Sequence, residues 1–214
     1  MTLNLRRLLA GMAALLMVGV LLLVFSPREP AVVGEGIPTA LQGVMRPVAR
    51  PISDFELVDQ SGRPFDSGRL AGHWSLVFFG YTYCPDICPT TLATLTTVLD
   101  GLEQESSGGG AVRVLFVSVD PARDTPEVLT RYLAYFGRNL SGLTGSRQQI
   151  DEFAQQFGAG YVIESPHAPG EYLVSHASSI FLVDPNSKLI ASFSPPHSPA
   201  TLIAQIDAIR ALYQ

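Results

Sequence analysis

Two uninterrupted apolar runs, Ser75 to Tyr83 (SLVFFGYTY) and Val112 to Val119 (VRVLFVSV), enclose a stretch in which Leu92, Leu95, Val98 and Leu99 recur at helical spacing. Strands buried on both faces show no polar alternation, and they belong to parallel sheets covered by helices. Strand, helix over Pro89 to Leu102, strand thus predicts a βαβ unit with a right-handed crossover. That single pattern excludes all-helical and purely antiparallel architectures.

The flanking signals extend the unit. Phe55 to Val58, a turn at Ser61-Gly62 and then Arg63-Pro64-Phe65 predict a short antiparallel hairpin. Thr125 to Phe136 opens with a threonine cap, Pro126 at the first helical position and Glu127 in the first turn, so it predicts a helix. A second helix is predicted over Ser146 to Phe157, ended by Gly158, and a last one over Ser198 to Leu212. Tyr161 to Ile163, Leu173 to Val183 and Leu189 to Phe193 predict strands, the last two joined by the turn at Asp184-Pro185-Asn186-Ser187. Residues 106 to 110 (SSGGG) read as an exposed loop. The order of elements is that of a thioredoxin-like α/β domain, a central mixed sheet flanked by helices.

A formal charge of −5 on 214 residues gives no basic surface, which excludes nucleic acid as a partner. From Leu8 to Phe25 there are 18 residues without a charge, preceded by Arg6 and Arg7. The run is close to the ~20 residues a helix needs to cross a bilayer, and the arginines place its N-terminal end in the cytoplasm. A cleaved leader is the competing reading, but the run exceeds the usual ~7–15 residues of a leader's apolar region and no clear A-x-A site follows. Residues 27 to 51 carry five prolines and neither helical nor strand periodicity, as a semi-extended tether would. The expected division is therefore 1–26 stub and transmembrane helix, 27–51 tether and 52–214 globular domain. The domain is expected in the periplasm or an equivalent extracytoplasmic space, held to the inner membrane.

Only two cysteines occur, in Tyr83-Cys84-Pro85-Asp86-Ile87-Cys88-Pro89, between the first buried strand and the helix. Proline after each disfavours helical backbone at both, and Pro89 fits the first helical position, so the pair is expected in a loop capped by the helix. Backbone dipoles at a helix N-terminus stabilise thiolate, the form that binds metal and attacks disulfides. An inert disulfide is the plain alternative, though so short a loop removes little chain entropy. Structural zinc usually needs four protein ligands, and only two thiolates exist. Two sulfurs and an imidazole suit Cu(I), which soft ligands select. His73, His167 and His197 lie in loops and read as solvated. His176 stands at the start of an otherwise apolar strand and divides evenly between a ligand and a hydrogen-bonded strand-end histidine.

Phe78 to Pro89 (FFGYTYCPDICP) resembles the signature of the Sco/SenC copper chaperones. Val117 to Pro126 (VSVDPARDTP) resembles the second motif of that family, and Gly142 to Gly145 (GLTG) the third, the similarity spanning about residues 52 to 212. The resemblance implies Cu(I) or Cu(II) bound by Cys84, Cys88 and His176, for delivery to the binuclear copper centre of cytochrome c oxidase subunit II or to another copper protein. It also implies thiol–disulfide exchange at the redox-active pair Cys84 and Cys88, with a metal-free oxidoreductase or redox sensor as the alternative function. Asp86 and Asp120 are implied to support the ligands from behind, and Arg123 and Asp124 to order the loop after the second strand. Family members commonly have Asp-His-Ser/Thr where this chain has Ser175-His176-Ala177. Without an acid at 175, another acceptor must fix the tautomer of His176.

Overall fold

The computed structural model describes residue 17 and residues 37–105, 111–137, 139–165 and 172–213. The expected membrane helix, apart from Met17, the first part of the tether, the loop at 106–110 and His167 all lie outside the described residues. Among the described residues no helix is long and apolar enough to cross a membrane.

The centre of the fold is the pair of strands that the apolar runs foretell. β4 (Trp74–Gly80) is buried along its whole length and runs parallel to β5 (Val112–Ser118), in register from Trp74 opposite Val112 to Gly80 opposite Ser118. The crossover between them is α2 (Ile87–Glu105). β6 (Leu140–Thr144) adds parallel to β5, and β2 (Glu56–Asp59) with β3 (Pro64–Asp66) extends that side antiparallel. On the other side of β4 lie β9 (Ile180–Val183), β10 (Lys188–Phe193) and β1 (Met45–Pro51), all antiparallel. The result is an eight-stranded mixed sheet in the order β1-β10-β9-β4-β5-β6-β2-β3, flanked by helices. A short helix, α1 (Ser67–Leu70), follows β3 and is capped by the Asp66 carboxylate on Arg69 N–H.

Adjacent residues of a strand face opposite sides of the sheet, and β4 shows how both sides are filled. Phe79 packs against Phe153 and Phe157 of α4 (Arg147–Phe157) and against Phe181. Phe78 packs against Phe116 on the other face, where Tyr132 of α3 (Pro126–Leu133) also meets Phe116. α5 (Pro199–Ala211) packs against α2. The predicted threonine cap forms, Thr125 Oγ1 accepting from Val128 N–H, and Ser146 and Gln149 add a reciprocal capping box to the second helix. α4 ends at Gly158 with φ +71°, the left-handed position that glycine takes without strain.

Two expectations change, and one strand was not foreseen. The tether is shorter than its composition implies, because residues 45 to 51 form β1 on β10, with Met45 buried opposite Ala191. Pro47 and Pro51 are tolerated there because an edge strand leaves one row of N–H positions unpaired. β6 carries no strand signal because Gly142 interrupts it. A Cβ at 142 would lie 2.8 Å from Leu133 Cδ1, so the glycine is what lets α3 approach. The single strand expected over Leu173 to Val183 is two: β8 (Val174–His176) pairs with β7 (Tyr161–Ile163) in a separate ribbon, and Ala177, Ser178 and Ser179 carry the chain over to β9.

At the end of β4, a Cβ on Gly80 would stand 2.8 Å from Cys88 Sγ and 2.7 Å from Phe116 Cε2. Gly80→Ala is expected to lower the unfolding free energy in urea by about 1–3 kcal/mol, the usual cost of overpacking. An unchanged urea midpoint would show that Cys88 is not packed against the strand.

Candidate metal centre

The chain leaves β4 at Gly80, turns through Tyr81 to Asp86 and enters α2. Asp86 C=O accepts the N–H of Thr90 at 3.2 Å, which sets Ile87 and Cys88 in the first turn. The expectation that Pro89 is the first helical residue, with both cysteines before it, is therefore corrected. The first turn of a helix has no partners for its N–H groups, so a proline at its third residue costs nothing. One of those free groups finds a sulfur: Cys88 N–H donates to Cys84 Sγ at 3.4 Å. Cys84 is half-buried, Cys88 is fully buried, and the two are unlinked.

His176 ends β8 and faces the pair from across the site. Its Nε2 lies 3.3 Å from Cys88 Sγ and its Nδ1 3.1 Å from the Ala177 carbonyl. A carbonyl only accepts, so Nδ1 carries the ring proton and Nε2 presents its lone pair to the cysteines. The Ala177 carbonyl is thus the acceptor that the missing acid at 175 left unassigned. Burial pushes the His176 pKa below its usual value, which keeps the ring neutral. Phe78 and Tyr81 meet the ring edge-on, each with centroids 6.0 Å away.

Burial also pushes the Cys88 thiol well above its usual range. The expectation that the helix N-terminus makes both sulfurs thiolates fails at Cys88, because loss of solvent outweighs the dipole there. Reduced and metal-free, Cys88 S–H donates to a neutral His176. The ligand atoms of Cys84, Cys88 and His176 all lie within 4.8 Å of one another, close enough to share one ion, and no other such cluster exists among the described residues.

The remaining sequence candidates divide. His73 is exposed, as expected. His197 is not simply solvated: it is half-buried, and its Nε2 donates to the Ser178 carbonyl at 2.8 Å, two residues past His176. Asp86 is exposed and accepts from Thr90 Oγ1 of the helix it precedes. Asp120 is fully buried, forms an ion pair with Arg123 and accepts Tyr172 O–H at 2.7 Å. Neither acid is hydrogen-bonded to a ligand atom. The carboxylate that secures the cysteine loop is Asp124, which accepts from Thr82 N–H at 3.0 Å, Thr82 Oγ1 at 2.6 Å and Ser118 Oγ at 2.6 Å. Sequence reading confined Asp124 to its own loop. The signal for its reach was the polar Thr82 within an apolar strand exit.

The sequence model of the SCO1/SenC family matches residues 44–211. The chain is 37% identical to an SCO2-like protein of Rickettsia conorii over 151 residues, which is 70% of this chain and 72% of that protein. Its fold matches Arabidopsis thaliana ScoI with copper bound at a TM-score of 0.70 and 30% identity, over 76% of this chain and 98% of that one. It also matches BsSco, a member of the Sco family of cytochrome c oxidase assembly proteins in which a disulfide switch was identified. There the TM-score is 0.62 and the identity 27%, over 80% of this chain and 99% of that one.

Removing a fully buried acceptor of three hydrogen bonds strands its donors. Asp124→Ala is expected to lower stability by about 2–4 kcal/mol in urea unfolding. It should also speed the reaction of the cysteines with a thiol reagent under native conditions, since the loop loses its tie. Parent-like reactivity in the folded variant would show that Asp124 does not hold that loop.

Proposed function

The chain belongs to the SCO1/SenC family and is a copper-binding protein of that family, and we propose that Cys84, Cys88 and His176 hold the copper for delivery to the binuclear copper centre of cytochrome c oxidase subunit II. The observation that carries the ligand set is the convergence of two sulfurs and one inward-facing imidazole nitrogen within 4.8 Å. Soft thiolates select Cu(I), and three donors satisfy an ion that tolerates low coordination. Uptake requires that Cys88 Sγ give up its proton, so binding releases protons as it forms.

The burial of the three residues assigns them different parts in transfer. Cys88 is shielded by the core, whereas Cys84 and His176 are half-buried, and Cys84, on the loop outside the sheet, is the donor that a ligand of the receiving protein can replace. Membership of a family that includes a cytochrome c oxidase assembly protein supports the choice of receiver. We place the domain outside the cytoplasm, held to the inner membrane by Leu8 to Phe25. The uncharged run and the two arginines before it support this. Metal-free thiol–disulfide exchange as the main role is less favoured, since Cys88 is buried and protonated and lacks both the access and the charge of an attacking thiolate.

The reduced protein is expected to bind about one Cu(I) per chain in competition with a chromophoric chelator. His176→Ala should weaken that binding roughly tenfold or more while leaving Cys84 and Cys88 able to form a disulfide. Absence of stoichiometric binding would falsify the copper-carrier reading. Equal affinity in His176→Ala would remove the histidine from the ligand set.

A further inference from the structure

We infer that Arg123 is a positioning residue of the copper site, clipping the strand that carries His176 to the loop that carries the two cysteines. The inference rests on the ligand set proposed above. It begins from a weakness in the fold. Cys88 is fixed by the core, but β8 is not part of the main sheet; it pairs only with β7, over three residue pairs. A two-stranded ribbon is marginal in water by itself. Something else must set where His176 stands relative to the sulfurs.

Downstream of His176 the chain is tied by Ala177 N–H to the Gly160 carbonyl and by His197 to the Ser178 carbonyl. Upstream the ties are the Tyr81 side chain, hydrogen-bonded to the Val174 backbone, and Arg123. Its Nη1 donates to the Tyr172 carbonyl at 3.0 Å, four residues before His176. The guanidinium carbon lies 3.6 Å from the centroid of the Tyr172 ring, and on the cysteine side 4.7 Å from that of Tyr83 and 5.7 Å from that of Tyr81. Tyr83 immediately precedes Cys84. Asp120 orients the group from below, pairing with Nε and accepting Tyr172 O–H. One planar cation thus touches both walls of the site without reaching a ligand atom.

The arrangement needs a flat, forked donor. Lysine can still pair with Asp120, but a point charge cannot also donate to the Tyr172 carbonyl and lie flat among the rings. Arg123 Nη2 is buried with no hydrogen-bond partner among the described residues. Burying an unpaired donor costs stability, which suits a residue kept for the place of its neighbours better than one kept for stability alone.

The test is a double-mutant cycle with Arg123→Lys, alone and in the His176→Ala background. Cu(I) affinity by chelator competition, the absorption spectrum of the Cu(II) form and thermal unfolding of the metal-free form are measured on each. In the metal-free parent and in Arg123→Lys, nuclear Overhauser contacts from the His176 ring to Phe78 and Tyr81 are measured as well. Expected are a roughly tenfold loss of affinity, a changed spectrum and loss of those contacts, with no further loss of affinity once His176 is alanine. Tyr172→Phe, which removes only the hydroxyl donated to Asp120, should move the same readouts in the same direction, and it stands in if Arg123→Lys fails to fold. Parent-like affinity and contacts overturn the inference, as does an equal loss in both backgrounds. Should the parent itself bind no copper, the function proposed above fails, and the ring contacts of the metal-free forms still decide the clip.

Discussion

The sulfur of Cys88 rests against Gly80, the last residue of the central strand, with the ring of Phe116 beside it. This contact fixes one of the three proposed ligands to the most buried element of the fold, so the other two need only be brought to it. Because β4 and β5 run parallel and in register, the loops that leave their ends emerge together. Asp124, in the second of these loops, can therefore hold Thr82 in the first. The site is a consequence of βαβ geometry: loops at the carboxyl ends of adjacent parallel strands meet in one crevice.

Burial then determines what state the ligands wait in. Within the core an isolated thiolate or imidazolium is costly, so Cys88 keeps its proton and His176 stays neutral. The hydrogen bond between them satisfies both groups without placing charge in a dry site. A cation arriving at this pair meets a neutral nitrogen already aimed inward and a thiol whose proton it must displace. Cys84, half-buried, accepts the Cys88 N–H and is the less enclosed of the two sulfurs.

What was legible in the sequence was what local chemistry writes into it. Continuous apolar runs gave β4 and β5, Thr125 announced the start of one helix and Gly158 the end of another, and the cysteine motif identified the site. What was hidden depends on contacts made elsewhere. Prolines concealed β1, because only its place at the sheet edge makes them acceptable. Gly142 concealed β6, because its role is to admit α3. The ionisation of Cys88 was misjudged for the same reason: a helix N-terminus is visible in sequence, whereas the depth of a sulfur is set by Gly80 and Phe116. Asp124 and His197 hold partners 42 and 19 residues away, which no local pattern records.

The three proposed ligand residues also differ in how far their places are determined. Cys88 is held by the core, Cys84 by a six-residue turn tied down through Thr82, and His176 by a ribbon outside the main sheet. Cys88 is thus the most firmly placed of the three. A site that takes up and releases an ion, as proposed for this one, is served by such unequal placement, because a uniformly rigid cage would bind well and exchange slowly. Preorganisation is valuable where a donor must wait in position, and mobility where a donor must yield. His176 is tied on both sides by Arg123 and His197, so the position proposed to yield is Cys84, whose loop is secured by side chains rather than by the sheet.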